Sequence, residues 1–278
     1  MKSKPDNKKA GQEYIYKDDS ELALKQFSSR TAETHASWFL PYLKFGMTLI
    51  DVGCASGSIT IGLARAVEPG QVTGVDISKT EIERGKERAV DNKISNIRFE
   101  VGSAYQLDFP DESFDVLFSH NVLEHLSEPD KALKEMHRIL KPGGTIGIRD
   151  VDWGGLFVAP ANDHMEKALE VWEAEFEKGE GGNARIGRQL GRLLHEAGFV
   201  EIEMSASYEV YADPESRRFL VENYVTRFIE PSFLKRVVGY GLVTAEEMKA
   251  AYDAYHTWQE TPGAIEAIAH CEVVGRKA

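Results

Sequence analysis

Between Lys44 and Asp150 the pattern of hydrophobic positions alternates between two periods. Short apolar runs rich in β-branched residues are followed by longer stretches in which apolar residues recur every three or four positions. The short runs predict strands buried on both faces, and the longer stretches predict amphipathic helices. Strands are predicted at 48–52, 72–76, 97–101, 114–119 and 144–150, with helices at 58–67, 79–92 and 129–140. Such alternation is typical of a doubly wound, mostly parallel α/β sheet.

The regular alternation ends after Asp150. The remaining pattern predicts a helix within 153–182, a helix from 184 to 197, a strand over 199–207 and a last strand from 264 or 265 to 275. Between these two strands lies a helical segment of residues 213–260, which starts at Pro214. A connection of this length between neighbouring strands usually has a function, so we expect a helical cap there.

The residues before Lys44 divide into two parts. Residues 1–12 are polar and are predicted to be a disordered tail. Residues 13–44 carry two helical patterns, whose apolar positions are Leu22, Leu24 and Phe27, then Trp38, Phe39 and Leu43.

A glycine-bearing turn follows the first predicted strand. The strand ends at Gly53, a second glycine stands at Gly57, and a helical pattern begins directly afterwards. This order brings backbone N–H groups close to a ligand at the carboxyl end of a parallel strand. The next strand ends in Asp76, whose carboxylate can accept two hydrogen bonds from the hydroxyls of a ribose.

The spacing Asp51-x-Gly53-x-x-x-Gly57, followed by Asp76, resembles motif I and the acidic motif of class I S-adenosylmethionine-dependent methyltransferases. A nicotinamide or flavin domain would carry G-x-G-x-x-G, which this turn lacks. The runs 114–117 (Phe-Asp-Val-Leu) and 138–144 (Arg-Ile-Leu-Lys-Pro-Gly-Gly) also resemble motifs of this family. Within it, the chain is most similar to the group with the ubiquinone and menaquinone C-methyltransferases. The resemblance implies a Rossmann-like sheet of seven strands and S-adenosylmethionine as cofactor.

The resemblance and the hydrophobic pattern together predict an organisation of the chain. Residues 13–44 would form an N-terminal helical lid over the mouth of the site, residues 45–212 with 261–278 the cofactor-binding core, and residues 213–260 the helical cap.

Except for Arg30 in the N-terminal segment, the cofactor residues implied by the resemblance lie at the ends of the first four strands. They are Arg30, Asp51, Gly53, Cys54, Ala55, Gly57, Asp76, Ile77, Ser103, Ala104, Asn121 and Val122. Ser103 stands where the family often has an acid, so either its hydroxyl or the N–H of Ala104 would contact the adenine. Arg30 would pair with the carboxylate of the cofactor, unless it is a solvated arginine at a helix end.

Two residues are candidates for chemistry at the methyl group. His120 follows the fourth strand and could act as a general base, because imidazole titrates near neutrality. Asp150 ends the fifth strand and could orient or deprotonate an acceptor, unless it is only a solvated acid at a strand end. His125 is interpreted as structural. Candidate substrate contacts, each of which could instead be a packing residue, are Tyr14, Asp152, Trp153, Tyr208, Tyr211 and Trp258.

Composition narrows the class of acceptor. The chain has 33 basic and 45 acidic residues, a net charge of −12, which disfavours a nucleic-acid partner. Two cysteines and no metal-ligand spacing predict neither a disulfide framework nor a metal site. With no signal peptide and no apolar run of membrane-spanning length, we expect a soluble cytoplasmic protein, either a monomer or a homodimer.

The function that these observations predict is methyl transfer to an O, N or C nucleophile of a small molecule. Two alternatives remain open at this point. One is another reaction in the same cofactor pocket, such as a cyclisation, and the other is a protein that binds S-adenosylmethionine without turnover.

Overall fold

The structure is a computed structural model that describes residues 28–180 and 182–278. Its strands are β1 (Leu49–Val52), β2 (Val72–Asp76), β3 (Ile97–Val101), β4 (Phe114–His120), β5 (Leu140–Val151), β6 (Phe157–Ala159), β7 (Phe199–Tyr211) and β8 (Ile265–Lys277). Its α-helices are α1 (Ala32–His35), α2 (Thr60–Val67), α3 (Lys79–Asp91), α4 (Pro129–Ile139), α5 (Asp163–Glu175), α6 (Leu190–Glu196), α7 (Pro214–Asn223), α8 (Pro231–Gly239) and α9 (Ala245–Trp258).

The strands form one mixed sheet whose order is β3-β2-β1-β4-β5-β8-β7, with β6 continuing the line of β5 along β8. The five strands from β3 to β5 pair in parallel, and β8 runs antiparallel to β5, β6 and β7. The predicted α/β class and parallel sheet are confirmed. The described residues contain eight strands rather than seven, because the three-residue β6 pairs with the start of β8.

Apolar burial explains why the central strands form where the pattern places them. Every residue of β1 is buried, as expected for a parallel strand covered on both faces. Ser78 caps the start of helix α3, because its hydroxyl accepts a hydrogen bond from the N–H of Glu81 at 3.3 Å. The sheet and its helices therefore hold the loop after β1 and the end of β2 in fixed positions.

The segment before β1 differs from the prediction. The residues predicted as a second helix, with Trp38, Phe39 and Leu43 on one face, form the four-residue α1 and a 3₁₀ turn at Leu40–Tyr42. Pro41 lies in the first turn of this 3₁₀ segment, where its missing N–H costs no helical hydrogen bond. Phe39 is nevertheless fully buried. The predicted tail, the first predicted helix and Tyr14 lie outside the described residues.

A second hydrophobic core lies under the helical cap. The segment that runs from α7 to α9 supplies most of it, as the pattern of residues 213–260 predicts. Met165, Ala168 and Val171 of α5 belong to the same core, although they precede β7 in the chain. The cap is therefore assembled from two separate segments, and it packs against the ends of β5 and β8 through Val151 and Ile268.

Candidate active site

A cavity lies at the carboxyl ends of β1, β2 and β4. The ends of these strands, the loop after β3 and parts of β7 and β8 line it, and residues of the helical cap complete the wall. The sheet order reverses beside β1, and doubly wound sheets bind their ligands at such a point.

The turn after β1 depends on Gly53. Its φ is +80°, a left-handed conformation that favours glycine, and its N–H donates to the carbonyl of Val75 at 2.7 Å. A Cβ at this position would collide with the Val122 side chain. Gly57 also has a positive φ, of +73°, but it does not line the cavity. A Cβ there would lie 2.5 Å from the ring of Phe99, so Gly57 permits close packing rather than approach of a ligand.

Two carboxylates, at the ends of β1 and β2, line the cavity. The Asp76 carboxylate accepts from the N–H groups of Ala55 at 2.9 Å and Ser78 at 2.8 Å, and each oxygen keeps a lone pair for a further donor. Asp51 is buried and accepts from the Thr60 hydroxyl at 2.7 Å. Burial raises the pKa of Asp51 to about 7, although the Thr60 hydrogen bond opposes the shift. Burial also raises the pKa of Asp76.

On the side where adenine is expected, the structure favours one of the two alternatives. Ile77 and Ala104 line the cavity, but Ser103 does not. The Ser103 hydroxyl instead accepts from the N–H of Tyr105 at 3.1 Å within its own turn. The expected contact of Ser103 with the cofactor is therefore not supported.

Four other residues expected to bind the cofactor line the part of the cavity where its methyl group is expected. Arg30, Cys54, Asn121 and Val122 all line the cavity. Asn121 has a φ of +53°, which turns the chain out of β4, and its N–H donates to the carbonyl of Arg149 at 2.8 Å. The side-chain oxygen of Asn121 is buried and has no hydrogen-bond partner among the described residues. It is therefore available to a donor on a ligand.

The two catalytic candidates have different positions. His120 lines the cavity, whereas Asp150 is fully buried outside it. The Asp150 carboxylate accepts from the N–H groups of Leu123 at 3.1 Å and Glu124 at 3.2 Å, so it holds the 3₁₀ turn after β4. The structure therefore gives Asp150 a structural contact and does not support a catalytic role for its carboxylate. His125 does line the cavity, with its Nε2 3.5 Å from Glu124.

Of the described substrate candidates, only Trp153 lines the cavity. Asp152 forms a two-point ion pair with Arg188, with both N–O distances 2.6 Å. Trp258 packs inside the cap core and donates to the carbonyl of Ala159 at 3.2 Å. Neither is free to contact a substrate.

The two tyrosine candidates, Tyr208 and Tyr211, do not line the cavity. The alternation of side chains along β7 explains the position of Tyr208. Tyr208 is 51% exposed and packs against Phe157 on the outer face of the sheet. Its neighbour Glu209 points the other way and lines the cavity. Tyr211 lies on the face of Glu209, but it is buried behind that side chain and donates to it at 2.7 Å.

Several lining residues were missed by the sequence interpretation. They come from the cap and the last two strands, and they are Trp172, Phe176, Glu209, Tyr224, Arg227 and His270. Trp172 packs edge-on against Trp153 at a centroid distance of 5.9 Å. Two of the missed residues could have been predicted from the sequence. Arg227 and His270 are polar residues within largely apolar stretches, and such a residue is a candidate for a functional site when the stretch is buried.

No group of three or more histidine, cysteine, aspartate or glutamate side chains in the described part of the chain could hold a metal ion. Within the same residues, a search for a helix of the length and hydropathy needed to cross a membrane finds none.

Comparison with known proteins identifies the family. A family profile described as a methyltransferase domain matches residues 43–198, more than half of the chain. The chain belongs to the methyltransferase family. An uncharacterised methyltransferase of Schizosaccharomyces pombe is 32% identical in an alignment of 239 residues, which covers 83% of this chain and 84% of that protein. A probable methyltransferase of Aspergillus luteorubrus is 29% identical over 286 residues, covering 96% of this chain and 99% of the relative.

A solved methyltransferase has the same fold. The phosphoethanolamine N-methyltransferase 2 of Haemonchus contortus, in complex with S-adenosyl-L-methionine, superposes with a TM-score of 0.52 at 19% identity. The match covers 84% of this chain and 50% of that chain. As a member of the methyltransferase family, this chain uses S-adenosylmethionine as its cofactor. The cavity fits it, because the Asp76 carboxylate, the Asp51 carboxyl and the unpartnered oxygen of Asn121 suit a ligand with hydroxyl, ammonium and amino donors.

Proposed function

We propose that this methyltransferase transfers the methyl group of S-adenosylmethionine to an O, N or C nucleophile of a small molecule that binds beneath the helical cap. The observation that carries the proposal is the continuity of the cavity. Its lining runs from Asp51 and Asp76, at the cofactor end, to Trp153, Trp172 and Phe176, which the cap and its neighbouring loops supply.

The residues proposed to hold the cofactor have distinct tasks. Asp76 would accept the ribose hydroxyls, and Ile77 with Ala104 would contact the adenine. Asp51 would face the ammonium group of the methionine part, and Arg30 would pair with its carboxylate, since a guanidinium matches a carboxylate at two points. Bound in this way, S-adenosylmethionine supplies a methyl group on a positively charged sulfur, and the protein has mainly to align a nucleophile with it.

The acceptor end combines an aromatic wall with charged groups. Trp153 and Trp172 cover apolar surface and help to exclude water from the reacting atoms. Arg227 and Glu209 enter the cavity from the cap and from β7. Because the pocket is built from parts of α5, β7 and the residues after α7, an acceptor must enter between these elements. This arrangement suits a small molecule better than a folded macromolecule.

The net charge of −12 also supports a small-molecule acceptor, because a nucleic acid would be repelled unless a local basic groove compensated. A cytoplasmic location and a monomeric or homodimeric state stay predictions.

The test is transfer of label from S-adenosylmethionine carrying a ¹⁴C methyl group. The protein is incubated with an extract of cells that naturally make it, and the dialysable, protein and RNA fractions are counted. We expect label in the dialysable fraction together with formation of S-adenosylhomocysteine. Label in protein or RNA would contradict the proposed acceptor class. Binding of the cofactor without formation of S-adenosylhomocysteine would favour a non-methylating role.

A further inference from the structure

Behind His120 lies a buried polar network on β5, β7 and β8. One terminal nitrogen of Arg149, Nη1, lies 2.7 Å from Nε2 of His120. The other, Nη2, donates to the Ser207 hydroxyl at 3.4 Å, and Nε lies 3.5 Å from Glu272. The Glu272 carboxylate in turn accepts from the hydroxyls of Ser205 at 2.6 Å and Ser207 at 2.5 Å. The Arg149 guanidinium is therefore held in position from several sides.

This contact determines which ring nitrogen of His120 carries the proton. A guanidinium has donors only and stays protonated, so Arg149 must donate and Nε2 of His120 must accept. Burial and the charges of Arg30 and Arg149 lower the pKa of His120 well below its ordinary value, so its ring is neutral. A neutral ring that accepts at Nε2 has its proton on Nδ1. His120 is thus a hydrogen-bond donor and not the general base that the sequence suggested.

The other groups around His120 do not change this conclusion. The rings of His35 and His270 lie 5.5 Å and 6.1 Å from it, centroid to centroid. Burial lowers the pKa of both rings, so they are neutral as well. The carboxylate of Glu209 also lines this part of the cavity and accepts from Tyr211.

Among the charged groups, Arg30 and Arg149 act most strongly on His120. Arg30 lines the cavity and Arg149 stands directly behind the ring. A donor backed by a fixed guanidinium stabilises negative charge on a ligand atom and disfavours an ammonium group.

Building on the proposed methyl transfer, we propose that Arg149 is a positioning residue that holds His120 as a donor to the acceptor atom. The acceptor is then an acidic hydroxyl compound, a phenol or an enol, that binds as its oxyanion after losing a proton to solvent. The acceptor oxygen forms a bond with the methyl carbon while the carbon–sulfur bond breaks, and the electron pair of that bond stays on sulfur. The negative and positive charges cancel, so the step needs no proton acceptor in the protein.

The first experiment measures the tautomer of His120 in the free protein by ¹⁵N NMR of labelled histidine rings. We expect a protonated Nδ1 and an unprotonated Nε2, a pattern that the Arg149→Met substitution abolishes and Arg149→Lys partly restores. Arg98→Met is the matched control, because Arg98 is an exposed arginine of β3 far along the sheet. A proton on Nε2 of wild-type His120, or a charged ring, would overturn the proposal even if the Arg149 variants failed to fold.

The second experiment uses 4-nitrophenol as an optical probe of the complex with S-adenosylhomocysteine. We expect the phenolate to bind roughly tenfold more tightly than the phenol, which lowers the apparent pKa of the bound probe by about one unit. His120→Phe should remove this preference while the affinity for S-adenosylhomocysteine is kept, and 4-nitroaniline should bind more weakly than the phenolate. Equal binding of both ionisation states, or no binding of 4-nitrophenol, would refute the assignment of acceptor class.

These measurements separate the two proposals. If label enters small molecules while His120 carries its proton on Nε2, the proposed function stands and the inference about Arg149 is wrong. If no methyl transfer is found, the NMR measurement still reports the tautomer, because it is made on the free protein.

Discussion

The affinity of this methyltransferase for S-adenosylmethionine should rise as the pH increases through neutrality. Asp51 is 2% exposed, lines the cofactor end of the cavity, and has a pKa raised to about 7 by burial. Below that pH its carboxyl is neutral. Above it, a carboxylate faces a ligand that carries a sulfonium and an ammonium group. Protons and the cationic cofactor therefore compete for the same carboxylate, so acid weakens binding.

The size of the effect follows from the pKa. If only the ionised carboxylate attracts the cofactor, the apparent Kd is multiplied by one plus the ratio of protonated to ionised Asp51. Between pH 8 and pH 6 this factor increases roughly tenfold, or about 1.4 kcal/mol. The Thr60 hydroxyl, which donates to Asp51 at 2.7 Å, favours the ionised form. Thr60→Val should therefore move the midpoint to higher pH.

Calorimetric titration with S-adenosylmethionine across this pH range measures the effect directly. Asp51→Asn cannot ionise, so its Kd should be weak and nearly independent of pH. Thr73→Val is the matched control. Thr73 is a buried threonine of β2, and its hydroxyl accepts a hydrogen bond from Arg98 rather than donating to Asp51. A wild-type Kd that is constant over the range, or an Asp51→Asn variant that keeps the wild-type dependence, would refute the reasoning.

Three further predictions test single residues of the site and its surroundings. Gly53→Ala should abolish cofactor binding in calorimetry, whereas Gly46→Ala, with a φ of +85° but no atom within 4 Å of the added Cβ, should bind normally. In the label-transfer assay, Trp153→Ala should raise the acceptor KM several-fold because it removes part of the cavity wall, while Tyr208→Ala on the outer face should not. Asp152→Asn should lower the free energy of unfolding by about 1 kcal/mol in urea titrations with the cofactor Kd unchanged, and a weakened cofactor Kd would show a binding role.

The fold could be predicted largely from local patterns. The predicted strand at 72–76 agrees with β2, and the predicted helix at 79–92 with α3, because buried apolar runs and a serine cap act within a few residues. The cap was only partly predicted. Its helices between β7 and β8 follow a clear pattern, but the contribution of α5 depends on packing between segments that are distant in the chain.

The residues of the candidate site also divide into those that a short motif predicts and those that depend on tertiary contacts. Gly53 and Asp76 were recognisable because the turn after β1 and the end of β2 are short motifs whose backbone conformation is local. The structural contacts of Asp150 could not be predicted, because its position in a strand does not reveal that its two oxygens accept hydrogen bonds from backbone N–H groups. Tyr208 was predicted to contact the substrate, but Glu209 lines the cavity instead. The sequence of β7 does not reveal which of its two faces turns toward the cavity, because that depends on how β7 pairs with β8.

The sequence by itself determined the proposed cofactor half of the site, where a glycine turn and an acid at the ends of two adjacent strands lie in one continuous stretch. Only the tertiary structure decided the proposed acceptor half. Trp172, Glu209, Arg227 and His270 come from four separate elements, and they meet because the cap buries its apolar face against the ends of β5 and β8. Burial of apolar surface is non-directional, so it leaves no short motif in the chain. The proposed tautomer of His120 also depends on tertiary structure, since Arg149 contacts the His120 ring from the adjacent strand β5.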